Sequence, residues 1–228
     1  MHRTRIKICG VRRPEDAAAA ARLGADAIGV VCYPRAGRYV PPETAAEVAR
    51  AVRPFVSVVA LFVDQSPPEV NDVAARVGAT VVQLHGVETA EQVAAVRFPV
   101  IKAVRADRQT LERELSTWRD AVRSGAVRNL VGLVLETAGP GVGVGGTGHA
   151  NDWAFLRDVR ARGGFDGLPP IIAAGGLTPE TVGDVVRNLQ PYAVDVSSGV
   201  ERVRGEKAHD LIAAFASAVD AADRAIAQ

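Results

Sequence analysis

The chain of 228 residues repeats one pattern eight times, a short apolar run followed by a longer amphipathic stretch rich in alanine. The apolar runs predict strands at residues 5–9, 27–31, 56–62, 80–84, 99–103, 130–135, 170–174 and 193–197. The stretches after them predict helices at residues 14–23, 43–51, 67–76, 88–96, 108–123, 151–161, 178–188 and 206–226. Strands that are joined through helices run parallel with right-handed crossovers, so this alternation predicts an α/β fold with a parallel sheet.

Eight strand–helix units in a chain of this length predict one (β/α)8 TIM barrel domain over residues 1–228. A doubly wound open sheet is the alternative, and it usually has fewer strands and a glycine-rich loop directly after the first one. Here Cys9-Gly10-Val11-Arg12 follows the first strand, without a glycine cluster. The sequence therefore favours the barrel.

Composition argues against several classes of function. The chain has 27 basic and 26 acidic residues and only 5% aromatic residues, so neither nucleic acid nor an anionic membrane is an expected partner. No apolar stretch reaches the ~20 residues of a membrane span, and the N-terminus lacks an apolar signal region. Two cysteines without metal-ligand spacing favour a reducing compartment. We therefore expect a cytoplasmic protein.

Polar side chains interrupt strands that parallel sheets normally keep apolar. The interruptions are Lys7, Gln83, His85, Lys102 and Asp195. Lys7 precedes Cys9 by two residues, so both point to the same side of the first strand, and Gln83 and His85 likewise share a face. One interpretation is an internal network that fills the barrel, such as Lys7 or Lys102 paired with Asp195. Their position near the carboxyl ends of strands favours an active site, because that face carries the chemistry of barrel enzymes.

A glycine-rich segment, Gly143-Val144-Gly145-Gly146-Thr147-Gly148, matches the G-x-G-x-x-G pattern of dinucleotide-binding proteins. It lies beyond the sixth predicted strand instead of directly after the first, so its context does not fit that motif. We interpret Gly145, Gly146 and Gly148 as part of a loop that closes over the barrel mouth and excludes water.

Two turns carry residues suited to a phosphate group. Ala174-Gly175-Gly176-Leu177 follows the seventh predicted strand, and Ser197-Ser198-Gly199-Val200 follows the eighth. Barrels often bind phosphate with backbone N–H groups of these two loops, and ordinary strand–helix turns are the alternative. Glycines allow the backbone to approach an anion and serines add hydroxyl donors, so Gly175, Gly176, Ser198 and Gly199 are predicted to bind phosphate.

Taken together, these segments resemble the phosphoribosylanthranilate isomerase family of tryptophan biosynthesis. The resemblance extends in family order over nearly the whole chain, and the motifs of the first and eighth strands together are specific. The similar segments are Lys7-Ile8-Cys9-Gly10, Glu15-Asp16-Ala17, Gly24-Ala25-Asp26-Ala27, Arg38 with Val40, Gln83-Leu84-His85-Gly86, Ile101-Lys102-Ala103, Gly145-Gly146-Thr147-Gly148, Asp152-Trp153, Ala174-Gly175-Gly176-Leu177 and Val194-Asp195-Val196-Ser197-Ser198-Gly199-Val200-Glu201.

The resemblance implies an Amadori rearrangement of N-(5-phosphoribosyl)anthranilate, a small phosphosugar, without a metal or an organic cofactor. In that scheme a carboxylic acid protonates the ring oxygen of the sugar, and a thiolate then removes the proton from C2. Cys9 matches the general base of the family, and Glu136 occupies the position of its general acid. The residues that we expect to contact the rest of the substrate are Arg38, Gln83, His85 and Asp195.

The chain departs from the family at three places. Glu136 replaces an aspartate, and the added methylene displaces the acid by about an ångström, a shift that can cost on the order of 10²-fold in rate. Asn151 replaces the usual phenylalanine, and Ala36-Gly37 replace the usual serine-proline before Arg38. The last two changes bear on loop packing more than on chemistry.

Two other functions remain open. The related aminoaldose phosphate isomerase of the histidine pathway would be expected to have an aspartate at the position of Cys9 and two phosphate motifs. The loop Gln83-Leu84-His85-Gly86 lacks such a second motif. The other is a non-catalytic barrel that binds a phosphosugar, an alternative that Glu136 raises. The sequence leaves both a monomer and a homodimer open.

Overall fold

The computed structural model describes residues 3–52, 54–137 and 150–227. Eight parallel strands pair in sequence order, and the eighth pairs with the first to close a barrel. The strands are β1 (Arg5–Cys9), β2 (Ala27–Val31), β3 (Ser57–Phe62), β4 (Val81–Leu84), β5 (Val100–Arg105), β6 (Leu130–Glu136), β7 (Ile171–Ala173) and β8 (Ala193–Val196). The predicted fold class is confirmed.

A helix follows each strand in the chain. The helices are α1 (Pro14–Arg22), α2 (Pro42–Arg50), α3 (Pro67–Val77), α4 (Ala90–Ala94), α5 (Leu111–Arg123), α6 (Trp153–Ala161), α7 (Val182–Leu189) and α8 (His209–Ile226). Proline stands in the first turn of α1, α2 and α3, where its missing N–H costs nothing. Gly78 ends α3 in the left-handed conformation, and Thr89 with Gln92 forms a capping box that begins α4.

The predicted elements are present, but several of their bounds differ. Strand β6 extends one residue further than expected and ends at Glu136. The prediction of a helix over 206–226 is wrong at its start, because residues 206–207 belong to a strand. Glu201–Val203 (β9) and Glu206–Lys207 (β10) form a small antiparallel hairpin, which turns through Gly205 at φ +85°. The hairpin lies between β8 and α8, on the side of the barrel where β8 ends.

Two clusters of buried apolar side chains in the core help to position the site. Most buried apolar side chains lie in one large cluster to which both the strands and the helices contribute. A smaller buried cluster joins Cys9, Val31, Leu61 and Val63 at the carboxyl ends of β1, β2 and β3. This second cluster gives the mouth of the barrel an apolar wall beside the cysteine. Among the described helices, none combines the length and the apolar character needed to cross a membrane.

Candidate active site

A cavity of about 650 Å³, including its open mouth, lies at the carboxyl ends of the strands. Its walls contain most of the residues predicted from the sequence, namely Cys9, Arg38, Gln83, His85, Glu136, Gly175, Gly176, Asp195 and Ser198. Gly199 does not line the cavity. Gly145, Gly146 and Gly148 lie outside the described residues. Over the described part of the chain, no group of three His, Cys, Asp or Glu side chains is placed to hold a metal ion.

Cys9 is the last residue of β1 and is buried at the cavity wall. Lys7 lies opposite Asp195 in the register of β1 and β8, and its Nζ donates to Asp195 Oδ2 at 2.8 Å. The same ammonium lies close enough to Cys9 for each group to shift the pKa of the other. A Cβ atom at Gly29, the β2 partner of Cys9, would lie 3.0 Å from Sγ and 3.2 Å from Lys7 Cε. Gly29 therefore provides the space in which the thiol and the lysine stem lie together.

The charges around Cys9 act in opposite directions. Burial raises the pKa of the Cys9 thiol, and the Lys7 ammonium only partly offsets this. Burial by itself would lower the pKa of Lys7, but the Asp195 carboxylate and Cys9 outweigh it and the net direction is upward. Lys7 is therefore a permanent cation near neutral pH, whereas Cys9 is mainly a neutral thiol. The lysine is positioned to stabilise the thiolate when it forms.

Glu136 holds a proton near neutral pH. Burial, with a further contribution from the charge of Asp195, raises the pKa of Glu136 to about 7. A large fraction of this carboxyl group is therefore protonated at neutrality and can donate a proton into the cavity. The next residue, Thr137, packs closely against Gly175, since a Cβ atom at Gly175 would collide with Thr137 Oγ1.

His85 is neutral. Burial, together with the positive charges of Lys102 and Lys7, lowers the pKa of His85 to about 3. Gln83 Nε2 lies 3.0 Å from His85 Nδ1. An amide nitrogen only donates, so Nδ1 accepts and the ring proton resides on Nε2. The pair therefore presents a polar but uncharged wall to the cavity.

Two buried acceptors in the cavity lining have no hydrogen-bond partner among the described residues. They are Gln83 Oε1 and Asp195 Oδ1. Leaving a buried oxygen unpaired costs roughly 1–3 kcal/mol. A ligand that brings hydroxyl donors would relieve both costs at once.

Lys102 serves the structure and not the cavity. Its Nζ lies 3.1 Å from Glu88 Oε2 and donates to Gly86 O at 2.8 Å. Both Glu88 oxygens in turn accept from the Gly86 N–H. The expected ion pair with Asp195 is thus formed by Lys7, and Lys102 instead fixes the turn that follows His85.

Arg38 is held by residues that the sequence analysis did not assign to the site. Its Nε and Nη2 donate to the two carboxylate oxygens of Glu201 at 2.9 and 2.7 Å. Lys207 Nζ also donates to Glu201, at 2.6 Å, and to Ser197 O at 2.9 Å. The Arg38 stem crosses Gly10, where a Cβ atom would lie 2.5 Å from Cδ. Glu201 is the last residue of the eighth-strand motif that resembles the family, but nothing in the sequence indicated that it binds Arg38.

The two glycine turns pack against each other. Gly175 and Gly176 have φ values of +94° and +64°, a region that favours glycine. A Cβ atom at Gly199 would collide with Leu177 O, so this glycine allows the turns after β7 and β8 to touch. Ser198–Val200 forms one turn of 3₁₀ helix beside them. The arrangement is the one in which barrels present backbone N–H groups to phosphate.

Comparison with known proteins identifies the family. The family model described as N-(5'phosphoribosyl)anthranilate (PRA) isomerase matches residues 6–218. The N-(5'-phosphoribosyl)anthranilate isomerase of Herminiimonas arsenicoxydans is 41% identical over an alignment of 230 positions that covers 99% of this chain and 97% of that protein. The chain belongs to the N-(5'-phosphoribosyl)anthranilate isomerase family. The enzyme of that name from Dechloromonas aromatica is 42% identical over an alignment of 226 positions that covers 98% of this chain and all of that protein.

Solved structures of this isomerase family share the barrel. Phosphoribosyl anthranilate isomerase from Thermotoga maritima superposes with a TM-score of 0.82 at 36% identity, covering 96% of this chain and 99% of its own. A phosphoribosyl anthranilate isomerase in complex with reduced 1-(o-carboxyphenylamino)-1-deoxyribulose 5-phosphate gives a TM-score of 0.79 at 35% identity, with the same coverage. The resemblance inferred from the sequence is therefore confirmed.

Proposed function

We propose that the protein isomerises N-(5'-phosphoribosyl)anthranilate to 1-(2-carboxyphenylamino)-1-deoxyribulose 5-phosphate, with Glu136 as general acid and Cys9 as general base. The observation that carries this assignment is one cavity lined by both a carboxyl group of pKa about 7 and a buried thiol beside a lysine. The complex of a family member with the reduced product supports the substrate. Membership of the isomerase family supports the reaction.

The first step opens the sugar ring. The protonated Glu136 carboxyl donates its proton to the ring oxygen, and the bond between C1 and that oxygen breaks. The nitrogen lone pair then forms a C=N bond to C1, so that the open-chain substrate is a protonated Schiff base. The raised pKa of Glu136 makes the acid form available near neutral pH.

The second step moves a proton from C2. The Cys9 thiolate removes this proton, the C–H electrons form a C1=C2 bond, and the C=N electrons return to nitrogen. The resulting enolamine gains a proton at C1 and loses the one on its C2 hydroxyl, which yields the ketone. Lys7 stabilises the thiolate through its positive charge, which lowers the pKa of the Cys9 thiol.

Three sets of groups in the cavity bind the substrate. The turns at Gly175-Gly176 and Ser198-Gly199 take the phosphate with their backbone N–H groups. The unpaired oxygens Gln83 Oε1 and Asp195 Oδ1 accept from sugar hydroxyls. Arg38 lies beside the turn after β8, because a Cβ atom at Gly10 would contact both Arg38 Cδ and Ser197 Oγ. Its Nη1 has no acceptor among the described residues and can donate to the anthranilate carboxylate.

The test is the decay of phosphoribosylanthranilate fluorescence in the wild type and two variants. We expect Cys9→Ser and Glu136→Gln each to lower kcat by at least about 10²-fold, the usual contribution of general acid–base catalysis. Full activity of Cys9→Ser would disprove the base assignment, and an unaffected Glu136→Gln would place the acid elsewhere. An inactive wild type that still binds inorganic phosphate would favour a non-catalytic barrel.

A further inference from the structure

A second arginine lies on the cavity wall, at the tip of the β9–β10 hairpin. Arg204 lines the same cavity as Arg38, and its guanidinium lies against Gly37. A Cβ atom at Gly37 would be 2.8 Å from Nη2, 2.9 Å from Nε and 3.0 Å from Cζ. Because these distances are nearly equal, the flat face of the guanidinium covers Gly37. A side chain at that position would require the guanidinium to shift.

The hairpin tip has a defined position relative to Arg38. Lys207, on the second strand of the hairpin, donates to the same Glu201 carboxylate that holds Arg38. A Cβ atom at Gly205 would lie 2.7 Å from Arg12 Nη1, so this residue is packed beneath the Arg12 side chain. The backbone that carries Arg204 is therefore tied to the carboxylate that orients Arg38.

The two arginines differ in the donors that they have available. Arg38 commits Nε and Nη2 to Glu201, a carboxylate that it shares with Lys207. Among the residues that the structure describes, Arg204 has no hydrogen-bond or ion-pair partner, although it is exposed at the cavity mouth. Arg204 thus offers a full positive charge and a complete set of donors at this end of the cavity.

The neighbouring surface is suited to an aromatic ring. Val31, Leu61 and Ala36 line the cavity on the side of Gly37 and Arg38. We propose that Arg204 binds the carboxylate of the substrate's anthranilate ring together with Arg38, and that Gly37 forms the seat that makes this possible. The ring packs on the apolar wall and its carboxylate lies between the two guanidinium groups. This inference rests on the proposed substrate.

The first experiment compares two arginines of one hairpin. Arg202 is exposed on β9, is paired with Asp210 and does not line the cavity, so Arg202→Ala is a control with the same loss of charge. We expect Arg204→Ala to raise KM for phosphoribosylanthranilate by about 5- to 20-fold with kcat within about twofold. Arg202→Ala should change KM by less than about twofold. Equal effects of both variants would show a general charge effect and overturn the proposal.

The second experiment locates the group that Arg204 contacts. Calorimetry would measure Kd for the reduced product analogue and for the same analogue without its ring carboxylate. Arg204→Ala should weaken the first ligand by about 5- to 20-fold and leave the second unchanged within about twofold. If both ligands weaken equally, Arg204 acts on the phosphate or the sugar, and the proposal is wrong. If neither weakens, Arg204 does not bind the substrate at all.

The third experiment tests the seat. Gly37→Ala should raise KM as Arg204→Ala does, and the double variant should be no worse than either single variant, because both changes remove one interaction. Additive effects would contradict the role of Gly37, and circular dichroism would identify a variant that fails to fold. A failure of the proposed function is distinguishable, since the wild type would then not turn over phosphoribosylanthranilate at all.

Discussion

Cys9 and Glu136 both hold their protons more tightly than such side chains ordinarily do, and burial is the largest cause for each. The proposed mechanism needs an ionised Cys9 thiol and a protonated Glu136 carboxyl at the same moment. Since the pKa of the thiol lies above that of the carboxyl, this form is a minority of the free enzyme at every pH. The Lys7 ammonium increases that minority by stabilising the thiolate.

The pH dependence of kcat/KM follows from these two groups. We expect a bell-shaped profile that rises through about pH 7, where Glu136 titrates, and falls above the raised pKa of the Cys9 thiol. The acidic limb arises because the fully protonated site lacks a base. Steady-state rates from pH 5.5 to 9 would measure the rising limb. A rate that stays constant between pH 6 and 8 would contradict this assignment of Glu136.

The same carboxyl group affects stability. The pKa of Glu136 in the folded state, about 7, lies above the ordinary value of ~4.3. Its favourable contribution to the free energy of unfolding is therefore complete below about pH 4 and is lost as the pH rises through 7. Above pH 7 the buried carboxylate destabilises the fold, and a neutral amide does not. Glu136→Gln should therefore raise the free energy of unfolding by about 2 kcal/mol at pH 8.5 and by much less at pH 5. Urea unfolding at both pH values measures this, and an equal change at both would refute it.

Sequence reasoning identified the site residues that lie on strands but not their partners. Cys9, Gln83 and Asp195 were recognisable because each follows or interrupts a regular apolar run. At Gly37 the sequence showed only a departure from the family pattern, and it did not indicate a contact with an arginine. Arg204, which covers Gly37, lies far away in sequence and meets it only in the folded barrel.

Among the secondary-structure elements, the β9–β10 hairpin shows where periodicity fails. Residues 206 and 207 were predicted to begin α8, because the periodicity of apolar residues reflects only interactions between residues that are close in sequence. In the fold, Lys207 is instead tied to Ser197 and Glu201. These contacts are long-range compared with a helical turn, and they override local preference. The strands and helices of the barrel itself follow their periodicity and were predictable.

Glu201 is the residue on which this hairpin depends. Its carboxylate pairs with both Arg38 and Lys207, and all three side chains of these ion pairs are buried. Glu201→Gln should leave two cations without a counter-charge, lower the free energy of unfolding by about 3 kcal/mol and raise KM. The control is Glu206→Gln, an exposed acidic residue of the same hairpin, which should change neither quantity appreciably. Chemical unfolding and steady-state kinetics measure the two effects, and equal stabilities of the two variants would contradict the role of Glu201.

At the scale of the whole molecule, barrel closure brings the first and last strands together and so assembles the site. Lys7 and Asp195 stand opposite each other only because β1 pairs with β8. The turns proposed to bind phosphate follow β7 and β8, while the proposed base, Cys9, ends β1 and the proposed acid, Glu136, ends β6. An open sheet would separate these residues, so this site can form only in the closed barrel.

The residues to which we assign roles in catalysis and binding line one cavity of this chain. A relative from Thermotoga maritima is described as dimeric. If the cavity of one barrel is sufficient for the proposed reaction, specific activity should stay constant within about twofold as the protein is diluted from micromolar to nanomolar concentration. Size-exclusion chromatography over the same range would report whether any assembly dissociates. A loss of activity that parallels dissociation would show that a second chain completes the site. Constant activity across a measured dissociation would establish that one barrel is sufficient.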